Sequence, residues 1–430
     1  MNRSSSLVSR RYFVSCLSAW AFILTLSLPV STCSAQETST TFDGGGELQR
    51  VWDLVNERFY RADFNGVDWP AARDMYLPRA RAAQSWEELG PVINKMLGLL
   101  RTSHTNYYTA VDPEYYFLFG IFSTGPLGDV AKQRFPEGKV QFDSLGLFAR
   151  KVDGKWFVTG ALDGSPAAVA GVHRGNEIIS LNGHPFQPVR PLQGLAAKGE
   201  SVQLVIQATP DLNSRKTLEL KPVTLFPNDA MLEAMEKSMR VIDHHGKKIA
   251  YVHIWSYAGK QYYERLVEEL LQGSFDNADA LVLDIRDGWG GASPEYLNIF
   301  NQRVPQLTSV GRDQQELSFK TQWRKPVALL INGGSRSGKE VLAYGFRKYG
   351  IGPVVGERTG GAVSGGTAIP VSDHSLLYLC VSGVRVDGEV LEGIGVAPDH
   401  EVAWPLPYAS AEDPQLQRAL DLMSEAAAKK

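Results

Sequence analysis

The sequence predicts a multidomain α/β protein with a helical N-terminal part, a β-rich middle part and a third part of alternating strands and helices. Between Glu47 and Leu100 apolar residues recur at helical spacing. From about Gly138 to Pro222 short β-type runs alternate with Gly, Asp, Asn and Pro turns. From about Pro227 to His400 strand-like and helix-like runs alternate, the pattern of a layered α/β unit. The 430 residues give room for two or three domains, each with its own core. With 43% hydrophobic and 21% charged residues, the chain is not of the disordered, collagen-like or polytopic membrane classes. A formal net charge of −3 excludes a nucleic-acid binder built on a basic face.

The first 35 residues stand apart. Arg3, Arg10 and Arg11 precede an apolar run from about Tyr12 to Val30, and Cys33-Ser34-Ala35 before Gln36 offers the small residues a signal peptidase reads. The expectation is a cleaved export signal over residues 1–35, with Ser9-Arg10-Arg11-Tyr12-Phe13 resembling a twin-arginine signal. An uncleaved membrane anchor and a lipid anchor at Cys33 are the alternatives. The destination is then periplasmic or extracellular, with membrane contact only through this segment if it is kept. Its removal leaves 41 basic against 47 acidic residues, a net charge of about −6, and Cys380 as the single cysteine. One thiol makes no intrachain disulfide. Inside Ser375-Leu-Leu-Tyr-Leu-Cys-Val381, Cys380 reads as a packed thiol in a buried strand rather than a nucleophile.

Residues 36–110 read as a tether followed by a helical domain. A Ser/Thr-rich stretch from Gln36 to Thr41 leads to Gly44-Gly45-Gly46, a flexible linker by composition. Leu48, Val51, Val55 and Phe59 form the first helical stripe, and Leu89, Ile93 and Met96 the last, within three or four helices. Ser85-Trp-Glu-Glu88 has the spacing of a capping box. In residues 137–225 strands are expected at 156–159, 177–181, 202–207 and 217–221, with a short helix over 165–171. In residues 226–410 strands are expected at 248–255, 280–285, 327–331 and 352–355, and helices near 262–271, 294–301 and 340–349. Residues 411–430 end in an amphipathic helix.

Two loop tips follow predicted strands, where α/β folds place their sites. Asp284-Ile-Arg-Asp-Gly-Trp-Gly-Gly291 is a glycine-rich turn whose Gly290 and Gly291 amides can point at a ligand oxygen. Ile331-Asn-Gly-Gly-Ser-Arg-Ser-Gly-Lys-Glu340 puts two serines at a helix start, without the spacing of a phosphate loop. A hydroxyl there serves as an N-cap or as a nucleophile helped by the helix dipole. A third motif, Leu100-Arg-Thr-Ser-His-Thr105, brings His104 to the end of the helical part. Alone, a serine so placed is usually a cap and a single histidine usually structural. The other histidines, His244-His245 and His253 among them, lack metal-ligand spacing, so neither metal nor cofactor is expected.

In this chain order the motifs resemble peptidase family S41, the tail-specific or C-terminal processing serine proteases with their tricorn-like and retinoid-binding-protein-like relatives. The likeness runs over most of residues 47–400 and includes Asn65-Gly-Val-Asp-Trp69, Asp284 to Gly291, Ser337-Gly-Lys-Glu340, Val355-Gly-Glu-Arg-Thr-Gly-Gly361 and Leu391-Glu-Gly-Ile-Gly-Val-Ala-Pro-Asp399. Residues 163–183 resemble the core of a PDZ domain, with Asn176 where Asp is commoner. Leu145-Gly146-Leu147 stands where such a domain holds a terminal carboxylate while the peptide adds a strand. The resemblance implies an N-terminal helical domain, a PDZ-like β-rich domain and an α/β peptidase core of crotonase/ClpP-like type.

By position the resemblance makes Ser337, three residues before Glu340, the nucleophile. The oxyanion donors become the amides of Gly338 and of Gly290 or Gly291. The Ser–Lys branch carries its lysine where this chain has Ala362, so that dyad is absent. Lys339 is two residues along the helix start and is expected to point away from Ser337. Ser103-His104 resembles the base and adjacent serine of the tricorn-like branch, and Glu392 its orienting acid. The expectation is an exported Ser–His–Glu endopeptidase acting on polypeptide C-termini or unfolded chains, with a homo-oligomer left open. The alternatives are a catalytically inactive peptidase-like module binding peptides or apolar ligands and, more distantly, another acyl-handling enzyme.

Overall fold

The computed structural model describes residues 42–125, 127–409 and 411–429. The export-signal and tether expectations for residues 1–41 lie outside them. Asp43 starts helix α1 (Gly44–Arg58) by accepting a hydrogen bond from Gly46 N at 2.9 Å. The glycines read as a flexible linker are therefore the first helical turn. A Cβ on Gly44 would sit 2.2 Å from Ala80 O, so the glycines serve close helix packing, which composition alone does not distinguish from flexibility. Ala80 belongs to α2 (Trp69–Ala82), and α3 (Trp86–Gly98) follows. Ser85 Oγ caps α3 at Glu88 N, 3.3 Å, while Glu88 Oε2 reaches back to Gln84 N at 2.9 Å, one residue beyond the expected box. Leu48, Val51, Val55, Ile93 and Met96 pack with Leu377, Leu379 and the buried Cys380, far along the chain. Buried Glu47 ties the same parts, accepting from Tyr107 Oη at 2.9 Å and Ser372 Oγ at 3.1 Å.

Strand β1 (Asn106–Thr109) is followed by α4 (Pro113–Phe122), α5 (Gly128–Arg134) and β2 (Phe142–Ser144). The middle part holds β3 (Leu147–Val152), β4 (Lys155–Ala161), α6 (Pro166–Val169), β5 (Glu177–Leu181), α7 (Leu195–Lys198), β6 (Val202–Gln207) and β7 (Arg215–Leu220). Its five strands form one antiparallel sheet in sequence order, around Val158, Ile178, Val202 and Leu204. β3 is an edge strand, open to pairing on one side. β8 (Val223–Leu225) pairs with β2, and α8 (Pro227–Ser238) leads into the third part.

There follow β9 (Arg240–His244), β10 (Lys247–His253), α9 (Lys260–Leu271), β11 (Ala280–Asp284), β12 (Leu307–Val310), β13 (Glu316–Phe319) and β14 (Val327–Ile331). α10 (Gly338–Lys348), β15 (Val354–Gly356), β16 (Gly365–Ser372), β17 (Ser375–Ser382), β18 (His400–Glu401) and α11 (Pro414–Ala428) complete the chain. The sheet order is β18-β15-β14-β11-β10-β9, parallel except for β9. Every residue of β11 and β14 is buried, because α11 covers one face while α9 and α10 pack on the other. The helix expected near 294–301 is a 3₁₀ helix, Pro294–Phe300, its ends closed by i→i+3 bonds such as Asn301 N to Asn298 O, 3.1 Å. Among the described residues no helix is long and apolar enough to cross a membrane.

Two tertiary links position the site. In the sheet β1-β17-β16, Asn106 pairs with Tyr378, which brings the chain just after His104 to the far end of the sequence. Arg286, at the end of β11, bonds Asp284 Oδ2 and Asp413 Oδ2 at 2.6 Å each and Gln415 Oε1 at 2.8 Å, locking α11 to the sheet. Burial disfavours the Asp284 carboxylate, but the adjacent guanidinium overrides it and holds the group well below the usual carboxylate range. Arg286→Ala strands that buried charge, so urea unfolding should read a loss of about 3–5 kcal/mol. An unchanged midpoint would contradict this account of how α11 is held.

Candidate active site

The turn from β14 into α10 is built by side chains bonding to backbone. Ser335, fully buried, donates to Ile285 O at 2.9 Å and accepts from Asn332 N at 3.1 Å, so its hydroxyl is committed to the fold. Ser337 differs. Its φ of +57° lies in the left-handed region, a strained position for a side-chain-bearing residue. Its N–H goes to Ala362 O at 2.7 Å and Glu340 Oε2 at 3.2 Å. Buried Glu340 also accepts from Thr359 Oγ1 at 2.6 Å, Gly361 N at 2.8 Å and Ala362 N at 2.7 Å. Burial raises the Glu340 pKa against these donors, and the carboxyl group fastens the Ala362 segment to the start of α10.

The Gly288–Gly291 loop lies directly against Ser337. A Cβ on Gly290 would be 2.5 Å from Ser337 Cβ, and one on Gly338 would be 2.3 Å from Ala292 N. Trp289 N donates to Trp255 O at 2.7 Å and Tyr257 N to Gly290 O at 2.9 Å. Lys339 Nζ reaches Asp287 O at 2.7 Å and Trp255 O at 3.2 Å, so its ammonium serves the loop, and burial pushes its pKa down to about 7. Among the described residues the amides of Gly290, Gly291 and Gly338 have no protein acceptor. Unpaired N–H groups beside a serine are what a tetrahedral oxyanion requires.

His104, 6% exposed and at φ +54°, sits beside Gly366 and 5.0 Å from the Tyr378 ring. Ser103 Oγ lies 2.8 Å from His104 Nδ1 and 2.9 Å from Glu392 Oε2. Glu392 further accepts from Ser103 N at 2.8 Å and from Val363 N and Ser364 N at 2.9 Å. Burial opposes its charge, but these donors prevail and its pKa is lowered. An ionised carboxylate only accepts, so Ser103 donates to Glu392 and accepts from His104 Nδ1–H. Nε2 is then the free lone pair. Burial, with some help from the Arg336 charge and against Glu392, lowers His104 to about 4, leaving the ring neutral at ordinary pH.

Ser103, His104, Gly290, Gly291, Ser337 and Ala362 line one cavity of about 520 Å³, walled by Tyr108, Leu118, Phe122, Trp289 and Tyr378. No hydrogen bond joins His104 to Ser337. Leu145, Gly146 and Leu147 lie elsewhere. Leu145 and Leu147 are buried, the Gly146 amide is bonded to Ser144 Oγ at 3.0 Å, and Gly146 borders a separate cavity of about 300 Å³. Sequence reasoning missed Arg336, Tyr108 and Tyr378 as cavity residues. The tyrosines come together only through the β1–β17 register, whereas Arg336 was legible as the neighbour of Ser337. One His/Asp group among the described residues, His244, His245 and Asp421, has potential ligand atoms within 4.8 Å of one another, outside this cavity.

Residues 248–402 match the family described as Peptidase family S41, and residues 46–98 the Tricorn protease C1 domain. The chain is 25% identical over 394 residues to a carboxyl-terminal-processing protease of Synechocystis sp., covering 88% of this chain and 86% of that relative. It is 27% identical over 408 residues to putative tricorn protease homolog 2 of Streptomyces coelicolor, covering 91% of this chain but only 32% of that much longer protein. The fold is shared with the solved photosystem II D1 C-terminal processing protease, with a TM-score of 0.50 at 21% identity over 90% of this chain and 98% of the other. The matches take in both the helical part and the parallel sheet, in the order in which the sequence motifs run: the chain carries a peptidase family S41 domain over residues 248–402 and a tricorn-type C1 domain over residues 46–98.

Proposed function

We propose that the protein is an exported serine endopeptidase of the C-terminal processing type, with Ser337 as nucleophile and His104 as base. The observation that carries this reading is the hydrogen-bonded chain Glu392–Ser103–His104 opening into the cavity that Ser337 shares with unpaired glycine amides. Ser337 Oγ attacks the scissile carbonyl while its proton passes to His104 Nε2. The amides of Gly338 and of Gly290 or Gly291 receive the oxyanion, and the imidazolium then protonates the leaving amine. Water hydrolyses the acyl-enzyme by the same route. The His104–Ser337 hydrogen bond, unmade in this structure, forms when substrate closes the site. Ala362 in place of the Ser–Lys lysine favours the tricorn-like arrangement, and an inactive scaffold would have no use for a free amide cradle.

Residues 1–35 direct export, 36–110 are a tether and helical domain, 226–410 form a crotonase/ClpP-like core and 411–430 a closing helix. Residues 137–225 form a PDZ-like domain that engages polypeptide ends beside Leu145-Gly146-Leu147 by strand addition to the free edge of β3, with the Gly146 amide released from Ser144 Oγ to meet the terminal carboxylate.

A fluorophosphonate probe and an unfolded polypeptide substrate test the reading together. The label should map to Ser337. Because protonation disables the base and burial lowers its pKa, activity should persist as pH falls through 6.5 and be lost only near about 4. Labelling at another residue, or an acid limb at 6.5, would overturn these roles.

A further inference from the structure

The proposed catalytic cavity carries an unneutralised cation. None of its lining residues is Asp or Glu, and Arg336, immediately before Ser337, is its one permanently charged group. Arg336 Nε donates to Gly288 O at 3.1 Å and its guanidinium lies 4.9 Å over the Trp289 ring, which fixes the plane of the fork. Among the described residues no carboxylate lies within 4.0 Å of it, and its Nη groups have no protein acceptor. Its charge acts across the space on His104, Tyr108 and Tyr378. Glu114 also feels that charge but forms no ion pair with it, and burial raises the Glu114 pKa, which weakens it as a counter-ion. Asn106, Tyr108, Thr124 and Tyr378 add neutral polar groups to the walls.

A planar, anchored guanidinium with free Nη groups and neutral surroundings matches a carboxylate, which it can meet through two parallel hydrogen bonds. A loop clamp alone would need only the Nε bond. Resting on the peptidase reading above, we propose that the cavity contains a carboxylate subsite in which Arg336 binds a substrate carboxylate beside the scissile bond. That carboxylate comes from a Glu or Asp side chain or from the chain terminus.

The test uses matched peptides with Glu or Gln at each residue flanking the scissile bond, each as free acid and C-terminal amide. Cleavage is measured with wild-type enzyme and binding, by fluorescence anisotropy, with the Ser337→Ala protein. Either Glu over Gln or acid over amide should be favoured about tenfold or more at low salt, and which pair differs identifies the source. Arg336→Gln should bring that ratio to about one. Arg336→Glu should reverse it, and should favour a matched Lys peptide over the Gln one, which loss of a purely structural clamp would not do. Equal binding and equal cleavage within every Glu/Gln pair and every acid/amide pair, or no binding of any peptide, overturns the subsite. Charge-selective binding without cleavage by wild type leaves the subsite standing and removes the peptidase reading instead.

Discussion

Ser337→Ala and His104→Ala should each lower kcat on an unfolded polypeptide by about 10⁵–10⁶, and the double variant should lose hardly more. The expectation follows from a single proton path. Without the Ser337 hydroxyl there is nothing for Nε2 to deprotonate, and without Nε2 the hydroxyl keeps its proton at neutral pH. The residue of activity would come from the amides of Gly290, Gly291 and Gly338, which neither substitution removes. Folding is a weak confounder at Ser337, because the bonds from its N–H to Ala362 O and Glu340 Oε2 survive substitution by alanine. His104 is more exposed to that objection, being buried against Gly366 and Tyr378, so its variant needs a matching near-ultraviolet spectrum. Losses that multiply in the double variant, or substantial turnover by either single one, would refute the shared path.

Glu392→Gln should cost about 10³–10⁴ in kcat. Oε2 accepts from Ser103 Oγ, Val363 N and Ser364 N, and Oε1 accepts from Ser103 N. An amide can satisfy only one side of that set; its NH₂ must face an N–H or O–H that also needs an acceptor. With the NH₂ toward Ser103 Oγ the hydroxyl can no longer donate there, and in either orientation the imidazolium formed during attack loses its counter-charge. Glu392 raises the His104 pKa against burial, so the acid limb of the variant should move further down, not up. A kcat–pH profile checks both parts. An undiminished kcat would remove Glu392 from the relay, and an upward limb would mean that another group controls it.

Much of the core is legible in the order of residues. β11 and β14 lie within the apolar runs expected there, since a strand buried on both faces needs continuous apolar residues. The glycine triad reads as a linker and is not one, because composition reports φ/ψ freedom and not proximity to Ala80. Ser335 and Ser337 are two residues apart in one loop; the resemblance picks out Ser337 by position, and tertiary contact supplies a physical reason, because Ser335 is spent on Ile285 O and Asn332 N. Glu340 is legible as a marker at capping-box spacing, but not as the group that binds Thr359, Gly361 and Ala362. Arg336 shows the reverse case, a residue plain in the sequence whose lack of a carboxylate partner is a property of the surrounding space.

Short-range chemistry is thus settled by the linear chain: which turns free their amides, which helix begins at a serine, and that no lysine stands at position 362. Those properties depend on neighbours within a few positions along the chain. The site itself depends on bonds across 289 residues, between Ser103 and Glu392, and on a β1–β17 register that brings Tyr378 beside the histidine. Such distances are closed by packing of Leu377, Leu379 and Cys380 under the N-terminal helices. Apolar burial is non-directional, so a linear pattern says which residues go inside but not which partners they meet there. The folded core alone decides that.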